Sequence, residues 1–315
     1  MRQSSVAGLA LAVTSSVAFG LSGPFGKALI DSGWSSNGTL LVRLGGAAAV
    51  LTVLLVAVRP GTIAAIRSDA PALVLYGALG MAGAQGCFFN AVRYLPVPIA
   101  LLLEYNGPIL VIGWVWLVRR RPPTRRTLVG GLVALLGLTM VVQVWTGGGL
   151  AGPGIAWGLA AAVCQSAYFL VADRADASTP PLVLAGVGMI VATVLAALSG
   201  ALGVLPVVVT EPTGGVALAG THVDWRYAAA FLVLVPTVLA YLTGIAAVSR
   251  IGATRAALVG LLEVVSAALA SWLLLGEVPG PLQAVGGALI LAGVALTQNA
   301  GAAAGAAARA GRGVS

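Results

Sequence analysis

Four ionisable side chains stand inside long apolar stretches of the sequence, where a charge is costly and usually has a function. They are Lys27, Arg43, Glu104 and Glu263. Two carboxylates and two cations could bind the charged groups of a small molecule, and a carboxylate in a cavity could also load and release a proton. A structural ion pair within the protein, for example between Arg43 and Glu104, is the alternative.

Polar and aromatic side chains recur at helical spacing in the same stretches, and residues three, four or seven apart share one face of a helix. Alone, each is more often an interhelical hydrogen bond, worth only about 0.6 kcal/mol in membranes. Together they predict a polar cavity between helices that binds substrate or couples its transport. The predicted residues of this site are Lys27, Arg43, Gln85, Asn90, Glu104, Tyr105, Asn106, Gln165, Tyr168, Tyr241 and Glu263.

Prolines interrupt three of the apolar stretches, at positions 24, 108 and 236. Each lacks the N–H that would bond to the carbonyl four residues earlier, which for Pro108 is the carbonyl of Glu104. We therefore expect the helices to bend or break at these prolines. Broken helices at membrane depth are tolerated where they line a cavity or other protein, although a simple kink is an equal alternative.

The composition decides which class of protein must position these residues. The chain has 315 residues, of which 59% are hydrophobic and 8% are charged, and its mean hydropathy is +1.02. A soluble domain carries about 25% charged residues. A soluble globular domain, a disordered chain and a disulfide scaffold are therefore excluded. The sequence predicts an all-α membrane protein, and its net charge of +8 is assigned to arginines that flank cytoplasmic span ends rather than to nucleic-acid binding.

Apolar stretches separated by charged or Gly/Pro-rich breaks predict ten transmembrane helices. Their ranges are 6–28, 38–58, 71–92, 97–118, 126–146, 153–172, 181–204, 227–249, 254–275 and 281–299. With the N-terminus inside, thirteen basic residues fall on the cytoplasmic side and three on the other. By the positive-inside rule, we expect both termini in the cytoplasm.

A shift of 156 residues aligns the end of the first half with the end of the second. Ala91-Val92 falls on Ala247-Val248, Trp116 on Trp272, and Gly137 on Gly293. Each half then holds five spans, and an odd number means that the second copy is inverted in the membrane. The sequence predicts two inverted five-helix repeats, 1–149 and 150–299, followed by a disordered cytoplasmic tail, 300–315.

Particular motifs resemble the EamA-type repeat of the drug/metabolite transporter superfamily. They are Leu275, Gly276 and Glu277 followed by Pro279, Gln283, Gly286 and Gly293, and Phe19, Gly20, Phe25 and Lys27 in the first span. The run Leu103, Glu104, Tyr105, Asn106, Gly107 and Pro108 resembles the threonine/homoserine-exporter branch. One departure is Arg121, which stands at the repeat position of Glu277.

This resemblance implies a secondary transporter of a bacterial inner membrane that exports small metabolites, often amino acids, by alternating access. It implies no cofactor and no metal, with protons as candidate coupling ions and lipid as the surroundings. Efflux of hydrophobic or cationic drugs and a passive channel-like facilitator are the alternatives. An enzyme is not expected, because the protease-like run Gly20-Leu21-Ser22-Gly23 has no histidine base in the membrane, the single His222 lying in a loop.

Overall fold

The computed structural model describes residues 2–58, 70–120, 124–142, 151–172, 181–212, 215–251, 256 and 259–310. The helices there are α1 (Arg2–Gly20), α2 (Ser22–Asp31), α3 (Ser36–Val58), α4 (Ala70–Leu75), α5 (Ala84–Ala91), α6 (Val97–Glu104), α7 (Gly107–Arg119), α8 (Arg125–Val142), α9 (Gly152–Ala172), α10 (Pro181–Ala201), α11 (Trp225–Val233), α12 (Ala240–Ile251), α13 (Leu262–Leu275) and α14 (Pro281–Ala310). Two π-helical segments join α4 to α5 (Tyr76–Gly83) and α11 to α12 (Leu234–Leu239), and two strands form β1 (Val216–Leu218) and β2 (Thr221–Val223).

Length and apolar composition identify the helical segments that cross a membrane. Five described segments are long and apolar enough, and two shorter apolar helices follow them. The five are Val6–Asp31, Ser36–Leu55, Ala70–Ala91, Leu182–Ala201 and Trp225–Ile251, and the two are Leu262–Leu275 and Pro281–Leu296. The protein is therefore a helical, multi-pass membrane protein, as the composition predicts. Each of the ten predicted spans overlaps a described helix, but ten crossings stay a prediction.

The distribution of side chains is that of a protein surrounded by lipid. Large apolar side chains point outward, with Leu117 exposed by 80% and Leu273 by 66%. Charged Arg43 and Glu104 lie inside, with exposures of 3% and 8%. Because lipid solvates apolar groups and cannot satisfy polar ones, this arrangement is favourable only in a membrane.

Helices α8 and α14 cross at two reciprocal glycine contacts. A Cβ on Gly286 would lie 2.6 Å from the Gly137 carbonyl oxygen, and a Cβ on Gly293 would overlap the Gly130 carbonyl oxygen. Higher residue numbers in α8 thus face lower numbers in α14, so the two helices are antiparallel. Such close approach is possible only because small residues line the crossing, which is a common means of helix association in lipid.

The predicted breaks in the helices are present. The first span divides at Leu21 into α1 and α2, and the fourth divides at Tyr105 and Asn106 into α6 and α7. A turn at Leu261 precedes α13 and lies 156 residues after Tyr105, the same shift that relates the two halves of the sequence. Pro236 lies in a π-helical segment, where the Thr237 hydroxyl bonds the carbonyl of Leu232 that the proline leaves free (2.9 Å).

A β-hairpin corrects the expectation of an entirely helical protein. Strands β1 and β2 pair antiparallel in the loop between α10 and α11. Ala219 and Gly220 form their turn with φ values of 53° and 73°, and two consecutive residues with positive φ are typical of tight hairpin turns. The Ala219 N–H donates to the Leu274 carbonyl, so the hairpin packs on the end of α13. We call this end of the molecule the hairpin end.

Two further expectations differ from the structure. A tryptophan near the end of a span is typical of the lipid interface, but Trp34 is only 3% exposed, its ring lies tilted against that of Trp225 (centroids 5.6 Å apart), and its indole N–H donates to the Thr210 carbonyl. The loop that covers it removes it from the lipid. The tail expected to be disordered from residue 300 is helical as far as Ala310, because its alanines favour continuation of α14.

Candidate functional site

A cavity of about 840 Å³ lies between the helices and extends toward the end opposite the hairpin. Its size is that of a pocket for a small molecule. Its polar and charged wall comes from several separate elements. These side chains are Arg43 of α3, Gln85 of α5, Glu104 at the end of α6, Tyr105 after it, Gln165 of α9, Tyr241 of α12 and Glu263 of α13.

The break between α6 and α7 places Glu104 in this wall. Helix α6 ends at Glu104, and the Gly107 carbonyl beyond the break accepts a hydrogen bond from Ser166 of α9 (2.9 Å). The Glu104 carboxylate is 8% exposed and has no hydrogen bond or ion pair to any described residue. A buried carboxylate without a protein partner is expensive, so this group is available to a ligand or a proton.

Glu263 faces the same cavity through a different set of contacts. Its Oε2 accepts the Tyr105 hydroxyl at 2.9 Å, and that hydroxyl also lies 3.2 Å from the Gly260 carbonyl oxygen. Helix α13 comes this close because Gly20, at the end of α1, has no side chain. A Cβ there would lie 2.6 Å from Ser266 Cβ and 2.8 Å from the Glu263 carbonyl oxygen. The glycine at the first break therefore positions the second carboxylate.

Arg43 is held by the π-helical segment of the eighth span rather than by a carboxylate. Its Nε donates to Thr237 Oγ1 at 2.9 Å, and Nη2 lies 3.4 Å from the Pro236 carbonyl oxygen. The guanidinium also lies over the Phe89 ring, 5.5 Å from its centroid. No ion pair joins Arg43 to Glu104 within the part of the chain that the structure describes. Since a guanidinium has five N–H donors, some are left for a ligand.

Neutral polar groups and aromatic rings complete the cavity wall. Gln85 Nε2 donates to the Tyr241 hydroxyl (3.2 Å), and the Phe19 ring meets Tyr241 edge-on at 5.0 Å. Gln165 lines the cavity from α9 beside the α6/α7 break, where a Cβ on Gly107 would lie 3.5 Å from its Cγ. Rings of this kind present an electron-rich face that attracts cations.

Four of the predicted site residues lie outside this cavity wall. The Lys27 ammonium donates to the Val92 carbonyl (2.7 Å) near the hairpin end. Asn90 donates to the Gly86 carbonyl of its own helix (2.8 Å). Asn106 donates to the Leu102 carbonyl (2.8 Å), which the break at this point leaves without a helical donor. The side chain of Tyr168 lies outside the described residues.

The structure adds three residues to those predicted for the site. Tyr76 and Phe88 contribute aromatic rings to the cavity, and Thr237 fixes Arg43. Phe89 is fully buried beneath Arg43, whereas its neighbour Phe88 lines the cavity. Phe88 and Phe89 stand three and four residues after Gln85 within α5, so helical spacing alone does not choose between them. For Thr237 the available signal was its position next to a proline inside a span.

Comparison with known proteins indicates that the chain is a membrane transporter. Residues 6–143 and 152–298 each match the EamA-like transporter family. The chain is 26% identical over 212 residues to the Uncharacterized inner membrane transporter YicL of Salmonella typhimurium, which covers 67% of either chain. A protein of known crystal structure shares the fold with a TM-score of 0.58 and 21% identity, over 94% of this chain and 96% of that one.

The fold and the cavity thus belong to a multi-pass membrane transporter. More particularly, the chain belongs to the EamA-like transporter family, and it carries the family domain twice.

Proposed function

We propose that this protein is a secondary active transporter that exports small amine-bearing metabolites, with amino acids as the leading cargo. The observation that carries the proposal is the Glu104 carboxylate, which is buried, faces the cavity and has no partner among the described residues. A substrate ammonium group would supply the missing countercharge. Arg43, on the same wall, would receive a substrate carboxylate with the donors that Thr237 and Pro236 leave free.

Alternating access is the mechanism that the architecture favours. The family domain occurs twice, and the reciprocal contacts of α8 with α14 are those expected of two copies related by a two-fold axis in the membrane plane. Helix breaks at Tyr105 and Leu261 fall at the same repeat position beside the cavity. We therefore propose two inverted repeats of five spans each, which rock about a site between them.

We further propose that both termini face the cytoplasm, so that the cavity extends to the cytoplasmic side and the hairpin end faces away from it. In that orientation the structure corresponds to a transporter that accepts cargo from the cytoplasm. Glu263, held by the Tyr105 hydroxyl, is the proposed proton-coupling group. A proton bound there when the cavity faces one side, and released when it faces the other, would couple export to the proton gradient.

Efflux of cationic compounds is the second candidate, and the balance of charge favours it. Among the described residues, two carboxylates, Glu104 and Glu263, face one arginine, Arg43, which is already bonded to Thr237. Described aromatic rings that line the cavity and can stack on a cation are Phe19, Tyr76, Phe88, Tyr105 and Tyr241. A quaternary ammonium compound without a carboxylate would test this candidate directly.

The test is transport into proteoliposomes with a panel of amino acids and quaternary ammonium compounds, with and without a pH gradient. Glu104→Gln removes the charge with little change in volume, and Glu211→Gln is a matched control because that carboxylate is exposed on the surface. Loss of one half of a buried charge pair costs about 3–5 kcal/mol, or roughly a hundredfold or more in affinity. We expect this loss for Glu104→Gln alone, with thermal stability near that of the native protein.

Unchanged substrate binding in Glu104→Gln would refute the proposal. Transport without accumulation against a gradient would identify a passive facilitator.

A further inference from the structure

An ion pair connects Lys27 and Glu277, two residues of the family motifs, near the hairpin end of the cavity described above, which we call the central cavity. Lys27 Nζ of α2 lies 3.6 Å from Glu277 Oε1, which follows α13, and either side chain is only 15% exposed. Lys27 belongs to the first family domain and Glu277 to the second. The contact therefore joins the two halves that must move relative to each other during transport.

Backbone groups from a third region strengthen this contact. Lys27 Nζ donates to the Val92 carbonyl at 2.7 Å, and Glu277 Oε2 accepts the Val97 N–H at 2.9 Å. Val92 follows α5, and Val97 begins α6. The two charged side chains thus hold both ends of the turn between the third and fourth predicted spans. A charge-assisted hydrogen bond is roughly twice as strong as a neutral one.

The packing beneath this contact closes the central cavity. A Cβ on Gly23 of α2 would overlap Val97 Cγ1 and lie 3.2 Å from the Phe88 ring. Gly23, Phe88 and Val97 are all part of the wall of the central cavity. Glu277 therefore bonds through one oxygen to a residue that forms the hairpin end of that wall.

A second cavity, of about 740 Å³, lies on the other side of the contact. Lys27 and Glu277 line it together with Asp31, the hairpin and the end of α13. Lys27 and Glu277 do not line the central cavity, and Val97 does not line the second one. The ion pair and the packed residues beneath it thus lie between the two cavities.

We propose that Lys27 and Glu277, with the Val92–Val97 turn that they hold, form the gate between the central cavity and a vestibule at the hairpin end. This proposal rests on the transport function proposed above. In the closed state the ion pair holds α2, α6 and the end of α13 together. Cargo leaves toward the hairpin end when the pair separates and the two family domains move apart.

The test measures access to the central cavity from each face of the membrane. Leu101→Cys, on the cavity wall, is the reporter in a background that carries Cys87→Ser and Cys164→Ser. Right-side-out and inverted vesicles are treated with a membrane-impermeant maleimide. For the parent we expect slow labelling from the hairpin side and fast labelling from the opposite side.

Charge changes at the gate should speed labelling from the hairpin side only. Glu277→Lys places two ammonium groups together and removes the acceptor of the Val97 N–H, so we expect about a tenfold higher rate. Lys27→Met should act in the same direction, and the charge swap Lys27→Glu with Glu277→Lys should reverse only the part of the effect that comes from the ion pair, because the swapped side chains cannot bond to the Val92 carbonyl and the Val97 N–H. Glu211→Lys makes the same charge change in an exposed ion pair and should leave the rate unchanged.

The outcomes separate the gate from the transport function. Unchanged labelling from the hairpin side in Lys27→Met and Glu277→Lys, with both proteins folded, would overturn the gate. If Glu277→Lys does not fold, Lys27→Met and the swap decide the question. Absence of labelling from both sides in the parent would instead contradict an accessible central cavity, and with it the proposed transport function.

Discussion

At the scale of single residues, the cavity gives its two carboxylates different surroundings. Glu104 has no partner among the described residues, whereas Glu263 accepts the Tyr105 hydroxyl at 2.9 Å. A carboxylate that is free to change partners is suited to bind the charged group of a substrate. A carboxylate that is held by a hydrogen bond is suited to bind and release a proton. The two carboxylates can therefore be tested separately.

We predict that Glu263→Gln abolishes accumulation driven by a pH gradient and leaves substrate exchange across the membrane intact. Glutamine can still accept the Tyr105 hydroxyl, but it cannot take up or release a proton in the physiological range. Gradient-driven uptake and counterflow in the same proteoliposomes measure the two activities. Gradient-driven accumulation at the native level would remove Glu263 from the coupling mechanism.

Thr237→Val should weaken binding of cargo that carries a carboxylate. The change removes the 2.9 Å partner of Arg43 Nε and the donor to the Leu232 carbonyl, so the guanidinium loses its orientation. We expect a loss of roughly tenfold in affinity, or about 1.4 kcal/mol. Thr243→Val is the matched control, since that hydroxyl bonds only carbonyls near it in the helix, such as Leu239 (2.7 Å). An equal loss in both variants would show a general effect of the hydroxyl on helix stability.

The gate should respond to pH through Glu277. Burial raises the pKa of its carboxyl above the ordinary value of 4.5, and the Val97 N–H and Lys27 offset only part of that rise. When the gate is open, solvent returns the pKa toward 4.5. The closed state therefore binds the proton more tightly than the open one, and after protonation Glu277 can still accept the Val97 N–H while Lys27 still donates to the Val92 carbonyl. The closed state gains stability as pH falls through the raised pKa and loses it as pH rises.

The measurement is the rate of labelling of Leu101→Cys from the hairpin side as a function of pH, after correction for the reactivity of the thiol itself. We expect slower labelling at lower pH. Asp31 and His222 also line the vestibule, so Glu277→Gln, which retains both, isolates the contribution of Glu277. A pH response that persists in Glu277→Gln would assign it to those neighbours.

The site was predictable from the sequence where the physical signal is local. A charge in an apolar stretch is costly wherever it packs, and a proline removes an N–H wherever the helix lies, so Arg43, Glu104 and Glu263 could be found in advance. The partners of those residues depend on which helix approaches, and no local pattern records that. Asn106 illustrates this limit, because its amide serves the broken end of α6 and does not reach the cavity.

At the scale of elements, the breaks and π-helical segments decide which side chains reach the cavity. A single added residue turns the face of a helix by about 100°, which a regular helical pattern cannot anticipate. The π-helical segment Tyr76–Gly83 contributes Tyr76, Gly80 and Met81 to the cavity wall. The hairpin was also missed, because its strands are only three residues long.

Gly20→Ala should destabilise the protein and disturb the position of Glu263. The new Cβ would lie 2.8 Å from the Glu263 carbonyl oxygen and 2.9 Å from the Ala267 nitrogen, both of them backbone atoms that cannot rotate away. We expect a cost of about 1–3 kcal/mol, measured as a lower melting temperature in detergent. Gly131→Ala is the control, since nothing lies within 4 Å of its added Cβ. Equal melting temperatures for the two variants would show that α1 and α13 separate easily.

At the scale of the whole molecule, orientation in the membrane determines the direction in which cargo moves. The count of thirteen basic residues against three predicts both termini in the cytoplasm. A fluorescent protein fused after Ser315 should therefore fluoresce, and alkaline phosphatase fused at the same place should be inactive. The opposite result would place the hairpin end in the cytoplasm and reverse the proposed direction of export.

The crossing of α8 and α14 has a consequence for how such a molecule could arise. Gly130 meets Gly293 while Gly137 meets Gly286, so the same pair of repeat positions contributes to both contacts. An interface built in this way is self-complementary: it fits a second copy of the same surface turned over by a half rotation. An ancestor with a single copy of the family domain and this surface could pair with a second copy of itself before the two genes were joined. Fusion would then have freed each half to change independently, as the substitution of Arg121 at the position of Glu277 illustrates.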